Sequence, residues 1–245
     1  MHSVLQHAHS WLCKGPLSVP GLCDIVVDYA NCWVANVPHG SSFLIIGKRR
    51  TGKKTLLRDL LQRRSYHYRH GEIVTRSDLR PVGPIQVKQD IENSSIAFLE
   101  RMDVWIGHEL RSNELRSQHL SRAVRDARHL QTDVILCTQY VLDSPPSFRH
   151  NIDIVFAFAD SSLINRKRLY EEFFRDCYAD FSEFESDFNL ATRDLGCLCV
   201  DRRNSVVVHF KAVLEVKTAL KCYSSYAIGS KGSTLIPQQF LACIA

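Results

Sequence analysis

Gly47 and Gly52 stand five positions apart, Lys53 follows at once, and Lys48, Arg49, Arg50 and Lys54 crowd around them. The stretch Gly47-Lys48-Arg49-Arg50-Thr51-Gly52-Lys53-Lys54-Thr55 reads Gly-x-x-x-x-Gly-Lys, the pattern of a loop that cradles phosphate. Gly47 allows a sharp turn, and Gly52 allows backbone angles that a Cβ forbids. Such a turn aims successive amide hydrogens inward as an anion nest, and a following helix adds its positive end. Lys53 would reach the β- and γ-phosphates of ATP as a mobile point charge. A P-loop lysine is normally followed by Ser or Thr, whose hydroxyl binds Mg²⁺. Here Lys54 holds that place, and Thr55 is the nearest substitute ligand. Sliding the register by one would pair Lys54 with Thr55 but lose both glycines.

Elements that could position this loop are legible on either side of it. Phe43 to Ile46 is a short apolar run that predicts a buried strand, and leucines at 56, 57, 60 and 61 predict a helix with one core face. Helical spacing of Leu22, Ile25, Val26, Tyr29, Trp33 and Val34 predicts a packing helix over 21–37. Glu72 to Thr75 is expected as a second strand, and residues 76–94 as mainly loop. The run Ser95-Ile96-Ala97-Phe98-Leu99-Glu100 is expected as the buried strand whose terminal acid, Glu100, holds Mg²⁺ through its water shell. Arg101 follows it and cannot act as a base; Asp103 is the alternative acid. Residues 111–130 predict a helix with Leu120, Ala123, Val124, Ala127 and Leu130 on one face. Val134 to Gln139 is a third strand, and Gln139 at its end is the candidate γ-phosphate sensor. Ile152 to Ala159 is a fourth strand. Ser161 to Tyr178 and the segment bearing Phe181, Phe184 and Phe188 read as helices; Gly196 to Val200 and Val206 to Phe210 read as late strands. The expected fold is α/β, a P-loop core over 43–215 with a mostly parallel sheet flanked by helices. Residues 1–42 form a lead-in, and residues 216–245 form a tail of unassigned role.

The 245 residues suffice for one sizeable core. Net charge is +5, but between Gly47 and Arg80 eleven Lys or Arg face three acids, so the excess is local. A focused positive region suits a polyanion, either nucleotide or nucleic acid. Tyr66, His67, Tyr68 and Arg69 alternate aromatic and basic character and serve either as a base-stacking segment or as a plain connector. Gln118, Arg122, Arg125 and His129 share a helix face that would meet DNA, a neighbouring subunit or solvent. Nine cysteines without a Cys-x-x-Cys pair predict a reducing compartment and no zinc site. With no apolar stretch long enough to span a bilayer and no secretory leader pattern, a soluble intracellular protein without membrane insertion is expected.

The order of features resembles the genome-packaging ATPases of nucleocytoplasmic large DNA viruses, which are FtsK/HerA-type P-loop motors. The likeness rests on the Gly47–Lys53 loop, on Phe98-Leu99-Glu100, on Ile135 to Tyr140, on Pro145 to Phe156 and on Asn165-Arg166-Lys167-Arg168-Leu169-Tyr170, and covers roughly Phe43 to Asp201. It implies ATP and Mg²⁺ as cofactors, an acid-bearing strand beside the P-loop strand, and a homo-oligomeric ring that threads double-stranded DNA into a capsid, in the virion or a cytoplasmic viral factory. It also implies an arginine contributed by a neighbouring subunit to the γ-phosphate, for which Arg149 and Arg166 are the candidates. Lys54 and Glu100-Arg101 depart from the family pattern at the metal and at the acid pair, which leaves two readings open: a motor that hydrolyses ATP, or a homologue that binds nucleotide or DNA without turnover.

Overall fold

Apolar runs short enough to be strands, separated by amphipathic segments, assemble into one sheet. The computed structural model describes residue 34 and residues 36–77, 84–91, 94, 96–110 and 112–212. The strands are β1 (Ser42–Ile46), β2 (Gly71–Thr75), β3 (Ile85–Lys88), β4 (Val104–His108), β5 (Asp133–Thr138), β6 (Ile154–Phe158), β7 (Cys197–Asp201) and β8 (Val206–Phe210). Their order is β3-β2-β4-β5-β1-β6-β7-β8. Pairing is parallel from β3 across to β6, and antiparallel from β6 to β7 and from β7 to β8. Strands β1, β2, β4, β5, β6 and β7 are buried along their whole length. This explains their nearly unbroken apolar character, since a parallel sheet is covered on both faces.

The covers are helices α1 (Lys53–Arg63), α2 (Ser112–Leu115), α3 (Gln118–Leu130), α4 (Pro146–Arg149), α5 (Leu163–Leu169) and α6 (Phe181–Ala191). Alternation along each strand divides the core in two. Phe43 and Ile45 pack with Leu56, Leu57 and Leu60 of α1 on one face. Leu44 and Ile46 pack on the other face with Leu120 and Val124 of α3 and with Phe174 and Phe184. Each such buried side chain contributes about 1.5–3 kcal/mol relative to exposure, so both layers hold β1 and the loop that leaves it.

Four expectations are corrected. Residues 96–101 are a 3₁₀ helix rather than a strand; the neighbouring strand is β4, whose Val, Trp and Ile fit a pleated buried surface. The strand expected beside β1 is not there, because β5 lies between β1 and β4. The helix expected over 111–130 is two pieces, since the Ser117 side chain caps a fresh start by accepting from the Leu120 amide. Residues 85–88 add an edge strand within the segment read as loop. Most of the helix expected over 21–37, and the tail 216–245, lie outside the described residues.

The segment after α1 turns inward instead of presenting its aromatics. Arg64 is fully buried and donates to Asp133 Oδ2 at 2.6 and 2.9 Å. Tyr68 adds its hydroxyl to the same oxygen at 2.6 Å, while burial, reinforced by Asp133, pushes its phenol well above the usual range. Asp133 Oδ1 accepts the Gly40 and Ser41 amides at 2.8 and 2.9 Å. Arg64 also reaches the Val34 and Val37 carbonyls. Of the aromatic–basic run only Tyr66 is strongly exposed among the large apolar side chains. Removing one partner of a buried pair strands the other's charge, so Arg64→Leu is expected to lower the unfolding free energy by about 3–5 kcal/mol, read by urea denaturation; a loss below about 1 kcal/mol would show that the pair does not anchor the helix.

Candidate nucleotide-binding site

The loop between β1 and α1 has the backbone its sequence requires. Gly52 sits at φ 107°, in the left-handed region, and caps α1. A Cβ on Gly47 would come within 2.7 Å of Phe158 Cβ and of Thr51 Oγ1, so no larger residue fits there. Thr51 Oγ1 closes the loop on the Lys48 carbonyl at 2.9 Å. The Gly47 amide donates to the Thr138 carbonyl at 3.2 Å, fastening the loop to the end of β5. Lys53 Nζ folds back onto the carbonyls of Gly47 and, at 2.8 Å, of Lys48. Burial lowers its pKa from the usual lysine range, with Cys137 and Glu109 opposing the shift and Arg49 adding to it. Arg49 and Arg50 are exposed on the loop. Lys48 is tied to Asp160 at 2.9 Å.

Strand register determines what faces this loop. Ile46 aligns with Thr138, and Cys137 aligns with His108, so the ends of β1, β5 and β4 are nearly level. Beyond β4 comes Glu109, an exposed acid at φ 57°. Following the end of β4 directly, it stands at the loop end of the sheet, where its charge opposes the lowering of the Lys53 and His108 pKa values. Gln139 lies one residue beyond β5, its amide donating to Asp143 Oδ2 at 3.2 Å. Beside it, Thr138 is buried, and its hydroxyl has no hydrogen-bond partner among the described residues. A hydroxyl buried at such a place, next to the Gly47–Lys53 loop, has bonding capacity left for a ligand or water.

Other sequence-predicted site residues fall elsewhere. Glu100 is exposed in the 3₁₀ turn before β4. A rise of roughly 3.3 Å per residue puts about 13 Å of β4 between the start of that strand and the loop end of the sheet, so Glu100 is at the wrong end. Asp103 is at that end too, accepting the Arg69 and His70 amides at 2.6 and 2.8 Å. Glu109 is the acid found at the loop end of the sheet, and sequence reasoning did not single it out. The usable signal was the run Val104-Trp105-Ile106-Gly107 followed by His108-Glu109. Arg149 is buried and held by Glu172 at 2.9 and 3.2 Å and by the Ser144 carbonyl at 2.5 Å. Arg166 is held by Glu185 at 2.8 and 3.0 Å and by the Asp160 carbonyl at 2.8 Å. Both arginines are engaged within their own chain.

The residues present do not fit Mg²⁺. The ion prefers oxygen ligands in a near-octahedral shell, supplied in P-loop ATPases by the hydroxyl after the lysine and by the strand-end acid. The first place holds the Lys54 ammonium, and the second holds His108, whose Nδ1 is bonded to Thr75 Oγ1 at 3.1 Å and Ser77 Oγ at 3.3 Å. Each helical step turns by about 100°, so Thr55 does not inherit the direction of Lys54. Among the described residues no three His, Cys, Asp or Glu side chains gather to hold a metal ion. At the opposite end of the sheet a cleft of about 410 Å³ is lined in part by Arg128, Asp153, Arg202 and Arg203. Its arginines are spent on Asp153, Asp201 and the Arg149 and Ile152 carbonyls, so it competes poorly with the loop for an anion.

No family model matches the chain. It is 26% identical over 181 residues to uncharacterized protein 088R of Invertebrate iridescent virus 3, covering 66% of this chain and 69% of that one. Its structure is similar to that of B204, the DNA-packaging ATPase from Sulfolobus Turreted Icosahedral Virus (TM-score 0.54, 16% identity, 72% of this chain and 100% of that one). It is also similar to the genome packaging NTPase B204 from Sulfolobus turreted icosahedral virus 2 in complex with ATPγS (TM-score 0.54, 12% identity, 73% and 100%). The chain has the P-loop NTPase fold of these packaging proteins. Among the described residues no helix is long and apolar enough to cross a membrane.

His108 lends the loop end a measurable acid sensitivity. Burial pushes its imidazole down from 6.5 to about 4, with Glu109 opposing and Lys54 and Lys53 adding. Below pH 6.5 the unfolded chain gains a proton that the folded chain refuses, so stability present above that pH falls away as the pH drops toward 4. At about 1.4 kcal/mol per pH unit the gap amounts to about 3 kcal/mol. Urea unfolding between pH 7 and pH 4 is expected to lose about this much in the wild type and clearly less in His108→Asn; equal slopes would contradict the burial argument.

Proposed function

We propose that this chain is an ATP-binding subunit of a viral DNA-packaging motor. One observation carries the reading: the Gly47–Lys53 loop after β1 and Glu109 after β4 stand at the same end of the parallel sheet, with Thr138 and Gln139 of the intervening β5 between them. ATP binds with its phosphates against the loop amides, and Lys53 exchanges the Gly47 and Lys48 carbonyls for β- and γ-phosphate oxygens. Glu109, on the strand next to β5, accepts a proton from the water that attacks the γ-phosphate. The Thr138 hydroxyl and Gln139 register whether that phosphate is present, one strand away from the base. Arg149 and Arg166 serve their own subunit as structural ion pairs, so the arginine acting across a subunit boundary is another one.

The finer assignment is a packaging ATPase of the nucleocytoplasmic large DNA virus type, within the FtsK/HerA lineage, working as a homo-oligomeric ring on double-stranded DNA at a capsid. The likeness to B204 and to a protein of an iridescent virus supports it. The exposed guanidiniums of Arg49 and Arg50 add phosphate attraction to the loop.

A second reading, a homologue that holds nucleotide without hydrolysing it, is favoured by Lys54 and His108 at the two metal positions. Steady-state ATPase assays with and without double-stranded DNA separate the two. The motor reading expects DNA-stimulated turnover, abolished by Lys53→Ala and lowered by about 10²–10⁴ in Glu109→Gln. Tight ATP binding with no turnover in the wild type would establish the second reading instead.

A further inference from the structure

The two departures at the metal positions belong to one place in the fold. Lys54 is in the first turn of α1, at the exit of the phosphate loop. His108 ends β4, level with Cys137 of the strand that pairs with β1. Both belong to the loop end of the sheet, and the positive charges of Lys54 and Lys53 add to the burial that keeps the His108 imidazole neutral. The loop end of the sheet therefore carries an ammonium and an imidazole at the sequence positions where a P-loop ATPase has a hydroxyl and a carboxylate.

The two replacements act in the same direction. Losing the hydroxyl alone would leave an acid to bind a hydrated metal, and losing the acid alone would leave the hydroxyl. Losing both, with a fixed positive charge added, repels a divalent cation and supplies a substitute for it. A lysine side chain is a compact, strongly hydrated point charge with three donors, able to bridge two phosphate oxygens. His108 is bonded through Nδ1 to Thr75 and Ser77, which fixes the ring where it stands. The surrounding cations Arg49, Arg50 and Lys53 provide the remaining neutralisation of a polyphosphate.

We infer that Lys54, supported by His108, takes the place of the divalent cation, so that this chain binds nucleoside triphosphate in its metal-free form. The inference rests on the P-loop reading above and specifies the ligand of that same site: a free triphosphate rather than its magnesium complex.

The test is isothermal titration of the full chain with ATPγS, once in EDTA and once in magnesium chloride. The wild type is expected to give dissociation constants that agree within about threefold. The double variant Lys54→Thr, His108→Asp rebuilds the oxygen pair and is expected to become magnesium-dependent, weakened about tenfold or more by EDTA. Wild-type binding that EDTA weakens about tenfold or more, and that magnesium restores, would overturn the inference while leaving the P-loop reading intact. No binding in either buffer would overturn both. If the double variant does not fold, as judged by thermal melting, the wild-type comparison in the two buffers decides alone. Lys54→Ala then adds a second readout: it must lose ATPγS affinity in EDTA, and unchanged affinity there would also contradict the inference.

Discussion

The buried contact between Arg64 and Asp133 holds the geometry on which everything else depends. It joins the residue that caps the C-terminus of α1 to the first residue of β5. Asp133 also gathers the amides of Gly40 and Ser41 just before β1. A single carboxylate thereby ties together the entry to the P-loop strand, the exit of the P-loop helix and the start of the strand between P-loop and acid. With the far end of α1 held in this way, its near end cannot slide along the sheet. Gly52 and Lys53 are presented at a constant height above β1 and β5. Burying charge of this kind is costly in itself and is tolerated because every polar atom of the cluster finds a partner.

From that anchor the site follows by register. Parallel strands bring their C-terminal ends to one edge, and each end contributes one function: β1 the phosphate loop, β5 the Thr138 hydroxyl and Gln139, β4 the His108-Glu109 pair. Placing β5 between β1 and β4 leaves a gap of one strand between lysine and acid, roughly two strand spacings or about 10 Å. That width suits a γ-phosphate with a water beyond it. The electrostatics of the edge are overwhelmingly positive, and a polyphosphate is the ligand that such an edge favours.

Much of this was legible in the residues. Gly47 and Gly52 are required on stereochemical grounds, by the contact with Phe158 and by φ 107°, so their spacing predicted their geometry. Strands β1, β5 and β6 are long apolar runs without competing patterns. The acid was lost because two short apolar runs lie close together: Ile96 to Leu99 ends in an acid but coils into a 3₁₀ turn, whereas Val104 to Gly107 enters the sheet. Period and length do not separate runs this short; long-range pairing with β2 and β5 does. The intrachain partners of the arginines were hidden for a related reason. Arg149 meets Glu172 and Arg166 meets Glu185 across 23 and 19 residues, contacts that exist only once those distant segments have packed.

The central claim is that the turn between β1 and α1 encloses a nucleotide's phosphates. Amide hydrogen exchange followed by mass spectrometry, on the full chain with and without ATPγS, addresses it residue by residue. The account predicts slowed exchange across residues 47–55, spreading to the ends of β4 and β5 at Glu109 and Gln139. Unchanged exchange in that loop at saturating nucleotide, or protection confined to the cleft around Arg202 and Arg203, would contradict it.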